Sequence, residues 1–91
     1  MKPMRYTLEA TLRQAGRNLD PAWIEAAVRS PDWTTPDPEP PKERRYRAIP
    51  ELGGKVLRVV CVEEDDHVRI VTVFPDRDAR RPDAPRDDLR P

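Results

Sequence analysis

A chain of 91 residues, 37% charged and 36% apolar, holds one small domain whose ordered part spans about 60 residues. Seventeen basic residues balance seventeen acidic ones, which excludes a protein that grips nucleic acid through bulk charge. One cysteine, Cys61, excludes an internal disulfide or a cysteine-rich metal site, and no apolar run is long enough to span a membrane as a helix.

The opening residues Met1–Arg5 carry no apolar leader, so the expected compartment is the cytoplasm. A first helix is expected over Thr7–Arg17. Leu8, Leu12 and Ala15 fall on one helical face, the one expected to meet the core. Thr7 caps that helix, and Glu9 sits in the first turn, where the helix dipole favours an anion. Asn18 suits the left-handed position that ends a helix, and Leu19 follows as an apolar plug. Asp20-Pro21 starts a second helix over Pro21–Arg29, with Ile24, Ala27 and Val28 as its buried stripe. Ser30-Pro31 stops it.

The run from Pro31 to Pro41 is too rich in proline for helix or central strand and reads as an extended connector, with Trp33 as its anchor. Three strands follow: Glu43–Ile49, Lys55–Glu63 and His67–Phe74. In the first, Tyr46 and Ala48 point to one side while Arg45, Arg47 and Ile49 point to the other. An even loop at the acidic turn Glu63–Asp66 places Leu57, Val59 and Cys61 with Val68, Ile70, Thr72 and Phe74 under the helices. Arg58, Val60, Val62, Arg69, Val71 and Val73 then form the opposite face. An odd loop would bury Arg69 beside apolar partners, which is costly. The expected fold is therefore α+β: two N-terminal helices packed on one face of a three-stranded antiparallel meander (ααβββ). It occupies residues 1–76 with a Pro-rich connector at 31–41, and a charged, Pro-rich, disordered tail covers 77–91.

With these elements in place, the chain resembles a bacterial domain-of-unknown-function family, number 4258. The residues that carry the likeness are Ala10, Arg13, Arg17, Leu19 and Asp20 around the helical corner, and Pro31-Asp32 after it. Arg45-Tyr46-Arg47 and Val56–Val60 carry it in the strands, and Thr72, Phe74 and Arg77 at the end. The resemblance implies a small fold in the style of RelE and BrnT toxins. It further implies a ribonuclease-like setting with RNA or a small antitoxin-like protein as partner. Where the family pattern has histidine this chain has Glu9, and where it has glycine this chain has Asn18. Losing the imidazole removes the natural proton-transfer group near neutral pH, so whether this member is an enzyme stays open.

The candidate binding residues are Arg13, Arg45, Arg47, Arg58, Arg69 and Arg77, with no catalytic residue assigned, no metal and no cofactor expected. Arginine outnumbers lysine heavily, which reflects either gene composition or a need for planar, bidentate contacts to phosphate or carboxylate. His67 reads as a solvated turn residue beside four acids, and Cys61 as a buried thiol. Two functions follow: a toxin-like RNA-binding or degenerate ribonuclease domain using an arginine face, or a noncatalytic protein-interaction module that self-associates or binds a small partner through the valine-rich face of the sheet. Arg58 and Arg69 on different sides of the sheet, or paired off with local carboxylates, would remove the basis of any site proposed there.

Overall fold

Thr7 and Asp20 set the helix layer. In the computed structural model, which describes residues 2–80, the Thr7 hydroxyl accepts from the Ala10 N–H at 3.1 Å and donates to the Val71 carbonyl at 2.8 Å. The first contact caps α1 (Leu8–Gly16), and the second ties its start to the sheet. Asn18 takes the left-handed conformation with φ of 53°, and Leu19 is buried behind it. Asp20 accepts from the Ala22 N–H and opens α2 (Pro21–Arg29).

The sheet has five strands: β1 (Met4–Tyr6), β2 (Trp33–Pro36), β3 (Glu43–Ala48), β4 (Val56–Glu63) and β5 (Val68–Asp76). Their order across the sheet is β1-β5-β4-β3-β2, with β1 parallel to β5 and every other pair antiparallel. This corrects the three-stranded meander: the class remains α+β, but the sheet is mixed, and one strand precedes the helices. The strand β1 is only three residues long, too short to show a period of two. The strand β2 lies in the proline-dense segment that reads as a connector. Proline forbids a central strand but not an edge, where the missing N–H costs no ladder bond. Pro36 ends β2 on that edge.

The β4–β5 loop is even, as the burial argument requires. Glu64 N–H donates to the His67 carbonyl, so Asp65 and Asp66 form a two-residue turn. Leu57, Val59, Cys61, Val68 and Ile70 then share the helix-covered face and are fully or nearly fully buried. A register shift between Val60 and Cys61 leaves Val71 as an extra residue on β5. Beyond this bulge the alternation inverts, so Val73 joins the core, and Thr72 and Phe74 turn to the other face. A bulge of this kind flips every side chain that follows it. Gly53 and Gly54, at φ of 67° and 80°, make the left-handed turn that leads from the short 3-10 helix Pro50–Leu52 into β4.

The core is one cluster beneath the helices: Ala10, Leu19, Ile24, Ala27, Val28 and Ile49 against the sheet residues above. α2 lies over β3 and β4, and α1 over β5 and β1. The rotation of α1 departs from its sequence pattern. Its buried residue is Ala10, while Leu8 and Leu12 are 75% and 62% exposed. The Thr7 contacts to β5 and a hydrogen bond from Gln14 Nε2 to the Leu19 carbonyl fix that rotation. The expected disorder of the 77–91 tail lies, from residue 81 onward, outside the described residues.

Ile70→Ala is expected to cost about 2–5 kcal/mol of unfolding free energy, and Leu12→Ala no more than about 0.5 kcal/mol. Urea denaturation of both variants checks this. Equal losses would place Leu12 in the core and reverse the orientation of α1.

Candidate interaction surfaces

Alternation along β3 sends Arg45 and Arg47 to the helix-covered side, where the end of α2 meets them. Arg45 Nη1 donates to the Val28 carbonyl at 2.9 Å, and Arg47 Nη1 donates to the Ser30 carbonyl at 2.6 Å. Helix ends leave carbonyls without partners, and these two guanidinium groups supply donors there. Arg45 also bonds to Glu43 and, at 2.8 Å, to Glu63. Lys2 Nζ reaches the other Glu63 oxygen at 2.9 Å. Burial works against the Arg45 charge, but the bonds to Glu63 and Glu43 outweigh it and hold its pKa above the ordinary value. Glu63 is correspondingly held below the usual carboxylate range, by the Arg45 hydrogen bond first and the Lys2 bond second. A shallow cavity of about 310 Å³ opens beside this knot, lined by Lys2, Val28, Arg29, Arg45, Glu63 and Val68.

Arg58 and Arg69 do share the face opposite α1 and α2, together with Arg44 and Arg5. A row of planar groups crosses this face, because Trp33, Tyr46, Arg58 and Phe74 are successive register partners on β2 to β5. The rings of Trp33 and Tyr46 stack at 4.8 Å with a 7° interplanar angle, and the Arg58 guanidinium lies 4.2 Å from the Phe74 centroid. Such stacked and cation–π pairs each add about 0.5–1.5 kcal/mol beyond the area they bury. Tyr46, Val60 and Val62 are 6%, 7% and 4% exposed on a face with no helix above it among the described residues. The face is therefore roofed by its own side chains.

The cations on this face have acidic neighbours. Arg58 faces Asp76 at 3.4 Å, Arg69 faces Glu64 at 3.3 Å, and Arg44 binds Asp37 at 3.0 Å. The Asp37 carboxyl is held low by the Glu39 N–H and then by Arg44. Arg58 Nε and Thr72 Oγ1 are buried without a hydrogen-bond partner among the described residues. Arg13 lies elsewhere, exposed on α1, and Arg77 is exposed in the turn after β5. The six candidate arginines thus occupy four separate places.

No chemistry gathers around the remaining candidates. His67 Nδ1 lies 2.7 Å from Asp66, its sequence neighbour, and the hydrogen bond it gives holds Asp66 low. Cys61 is fully buried, and burial pushes its thiol up to about 11, so it stays protonated at neutral pH. Among the described residues no three of His, Cys, Asp and Glu stand close enough to hold a metal ion, and no helix is long and apolar enough to cross a membrane.

What the sequence pattern did not mark is the outer side of α1. Leu8, Glu9, Leu12, Arg13, Gly16 and Arg17 line a shallow groove of about 510 Å³ there. Leu8 and Leu12 are the large hydrophobic residues left exposed among the described residues. No signal in the chain could have found this, because an apolar stripe on a helix ordinarily faces the core. Arg44, by contrast, was legible from its alternation with Tyr46.

A family model matches residues 6–75, from the last residue of β1 almost to the end of β5. The chain belongs to the family described as Domain of unknown function (DUF4258). No curated protein and no solved structure matches it. The match spans both surfaces of the DUF4258 domain, the planar row and the α1 groove.

The Glu63 pKa gives a signed acid dependence. A carboxyl whose folded pKa lies below its unfolded value near 4.3 adds stability that is present above that value and lost as pH falls through the folded one. Unfolding free energy is thus expected to fall as pH drops from about 5 to about 3, with a shallower slope in Glu63→Gln. Denaturation series on both proteins test this, and an unchanged slope would show that the Arg45–Glu63–Lys2 contacts contribute nothing. Arg45→Met, which removes the donor to Val28 as well, is expected to cost about 1.5–3 kcal/mol at neutral pH in the same measurement.

Proposed function

We propose that this DUF4258 domain is a noncatalytic interaction module that engages another polypeptide through the outer stripe of α1. The observation that carries the reading is the exposure of Leu8 and Leu12 at 75% and 62% in a chain with little apolar surface to spare. Burying one leucine fully contributes about 1.5–3 kcal/mol, so leaving two bare on one stripe favours a cover. The guanidinium groups of Arg13 and Arg17 border the groove. Glu9 borders it as well, so a complementary surface carries aliphatic side chains flanked by a carboxylate against the arginines and a base against the glutamate.

The RNA-directed reading draws less support. It needs convergent guanidinium groups ready for phosphate, whereas Arg45 and Arg47 serve the end of α2, and Arg44, Arg58 and Arg69 have carboxylate neighbours. It also needs a proton-transfer group, and His67 stands at a hairpin tip against Asp66.

A stapled helical peptide with leucine at positions i and i+4 and glutamate at i+1 and i+5 is the probe. Fluorescence anisotropy is expected to show binding that Leu8→Ser with Leu12→Ser weakens at least about tenfold, since tenfold needs only about 1.4 kcal/mol. The melting temperature should stay within about 2 °C, as for other surface changes. Arg58→Ala with Arg69→Ala should leave peptide binding unchanged. Cleavage of labelled single-stranded RNA by the wild-type protein, or no peptide binding, overturns the reading.

A further inference from the structure

The outer stripe of α1 is two parallel columns. Leu8, Leu12 and Gly16 form an apolar column at four-residue spacing, and Glu9, Arg13 and Arg17 form a charged column beside it. Residues four apart lie above one another on a helix, so the columns run along the axis. The charged column changes sign along its length, with its acid in the first turn and its bases toward the last.

We propose that the polypeptide seated on this stripe is a second copy of the chain, its α1 antiparallel to the first about a twofold axis. The proposal rests on the interaction-module reading above and names its occupant. In an antiparallel helix pair the same flank of each helix lies side by side in reversed order. The charged column then meets itself head to tail, and Glu9 of one copy lies alongside the Arg13–Arg17 end of the other. The two symmetry-related contacts form together, as an isologous interface requires. A parallel pair would set each charged column against the opposite flank, so the acid would meet no base. Leu8 and Leu12 interdigitate with their counterparts. Gly16 leaves room at the end of the apolar column, since a Cβ placed there would meet nothing within 4 Å. The uncovered sheet face fits this role less well, because Tyr46, Val60 and Val62 are already buried within it.

One nine-residue helix falls short of the roughly 800 Å² per partner of a standard interface, so the dimer is weak, with a dissociation constant on the order of micromolar or above. Glu9, Arg13 and Arg17 are all exposed, so charge reversal leaves the core intact.

Sedimentation equilibrium of the wild-type chain from about 10 μM to about 1 mM is expected to show a monomer–dimer equilibrium. Glu9→Arg makes the column wholly basic, and Arg13→Glu with Arg17→Glu makes it wholly acidic. Each variant alone should be monomeric over this range, and an equimolar mixture should dimerise at least as tightly as the wild type. Glu9→Gln, which perturbs the helix start least, should weaken the dimer several-fold. A wild-type monomer at 1 mM, a dimer indifferent to all these changes, or a mixture that stays monomeric overturns the proposal. If the stapled peptide still binds in a Leu8- and Leu12-dependent way, the second copy is the wrong occupant and the α1 surface stands. If peptide binding is absent as well, both readings fall.

Discussion

Arg45 stands where α2 ends against the sheet, and its guanidinium joins four parts of the chain. It donates to the last turn of α2 through Val28, to Glu43 on its own strand, and to Glu63 on β4, which also holds Lys2 from the N-terminal segment. A domain this small has a marginal core, so a charged tie at the end of α2 adds to the packing of Ile24, Ala27 and Val28. A charged donor in a partly desolvated place forms stronger hydrogen bonds than a neutral one. A lysine could not do the same, because a single ammonium cannot span the helix carbonyl and two carboxylates with a rigid fork. The orientation of α2 on the sheet, and with it the closure of the core over Leu57, Val59 and Cys61, depends on this group.

The arginine richness of the strands takes on a structural meaning in this light. On the helix side, guanidinium groups finish α2. On the other side, where the described residues form no second layer, Arg58 lies against Phe74 in line with the stacked Trp33 and Tyr46. Long side chains that cover apolar surface while keeping their charge near water are suited to roofing a sheet that lacks a helix above it. Val60 and Val62 are consequently dry without a partner protein. Among the described residues the large apolar side chains that remain bare lie on α1, away from the strands on which arginine and valine are concentrated.

That placement follows from a conflict between local pattern and tertiary ties. The stripe of Leu8 and Leu12 alone would turn α1 inward. The Thr7 bonds to β5, the Gln14 bond to Leu19 and the close approach allowed by Ala10 turn it outward. Local and global preferences agree along α2 and β4, and disagreement of the kind seen on α1 is expected where a surface has a use.

Local chemistry alone made much of this protein legible. The caps at Thr7 and Asp20, the left-handed Asn18, the apolar stripe of α2 and the even β4–β5 turn, which puts Arg58 and Arg69 on one side, each start from a residue acting on its near neighbours. Such interactions are complete within a few positions of chain. Tertiary structure alone decided the rest. Whether WTTP pairs as an edge strand depends on β3 offering a free ladder. Whether MRY becomes a strand depends on the outer edge of β5. The bulge at Val71 that exchanges Val73 for Thr72 and Phe74 depends on how β5 fits both β4 and the start of α1. The partners of the arginines and the rotation of α1 were equally beyond reach. They are set by groups distant in sequence, which no periodicity within one element encodes.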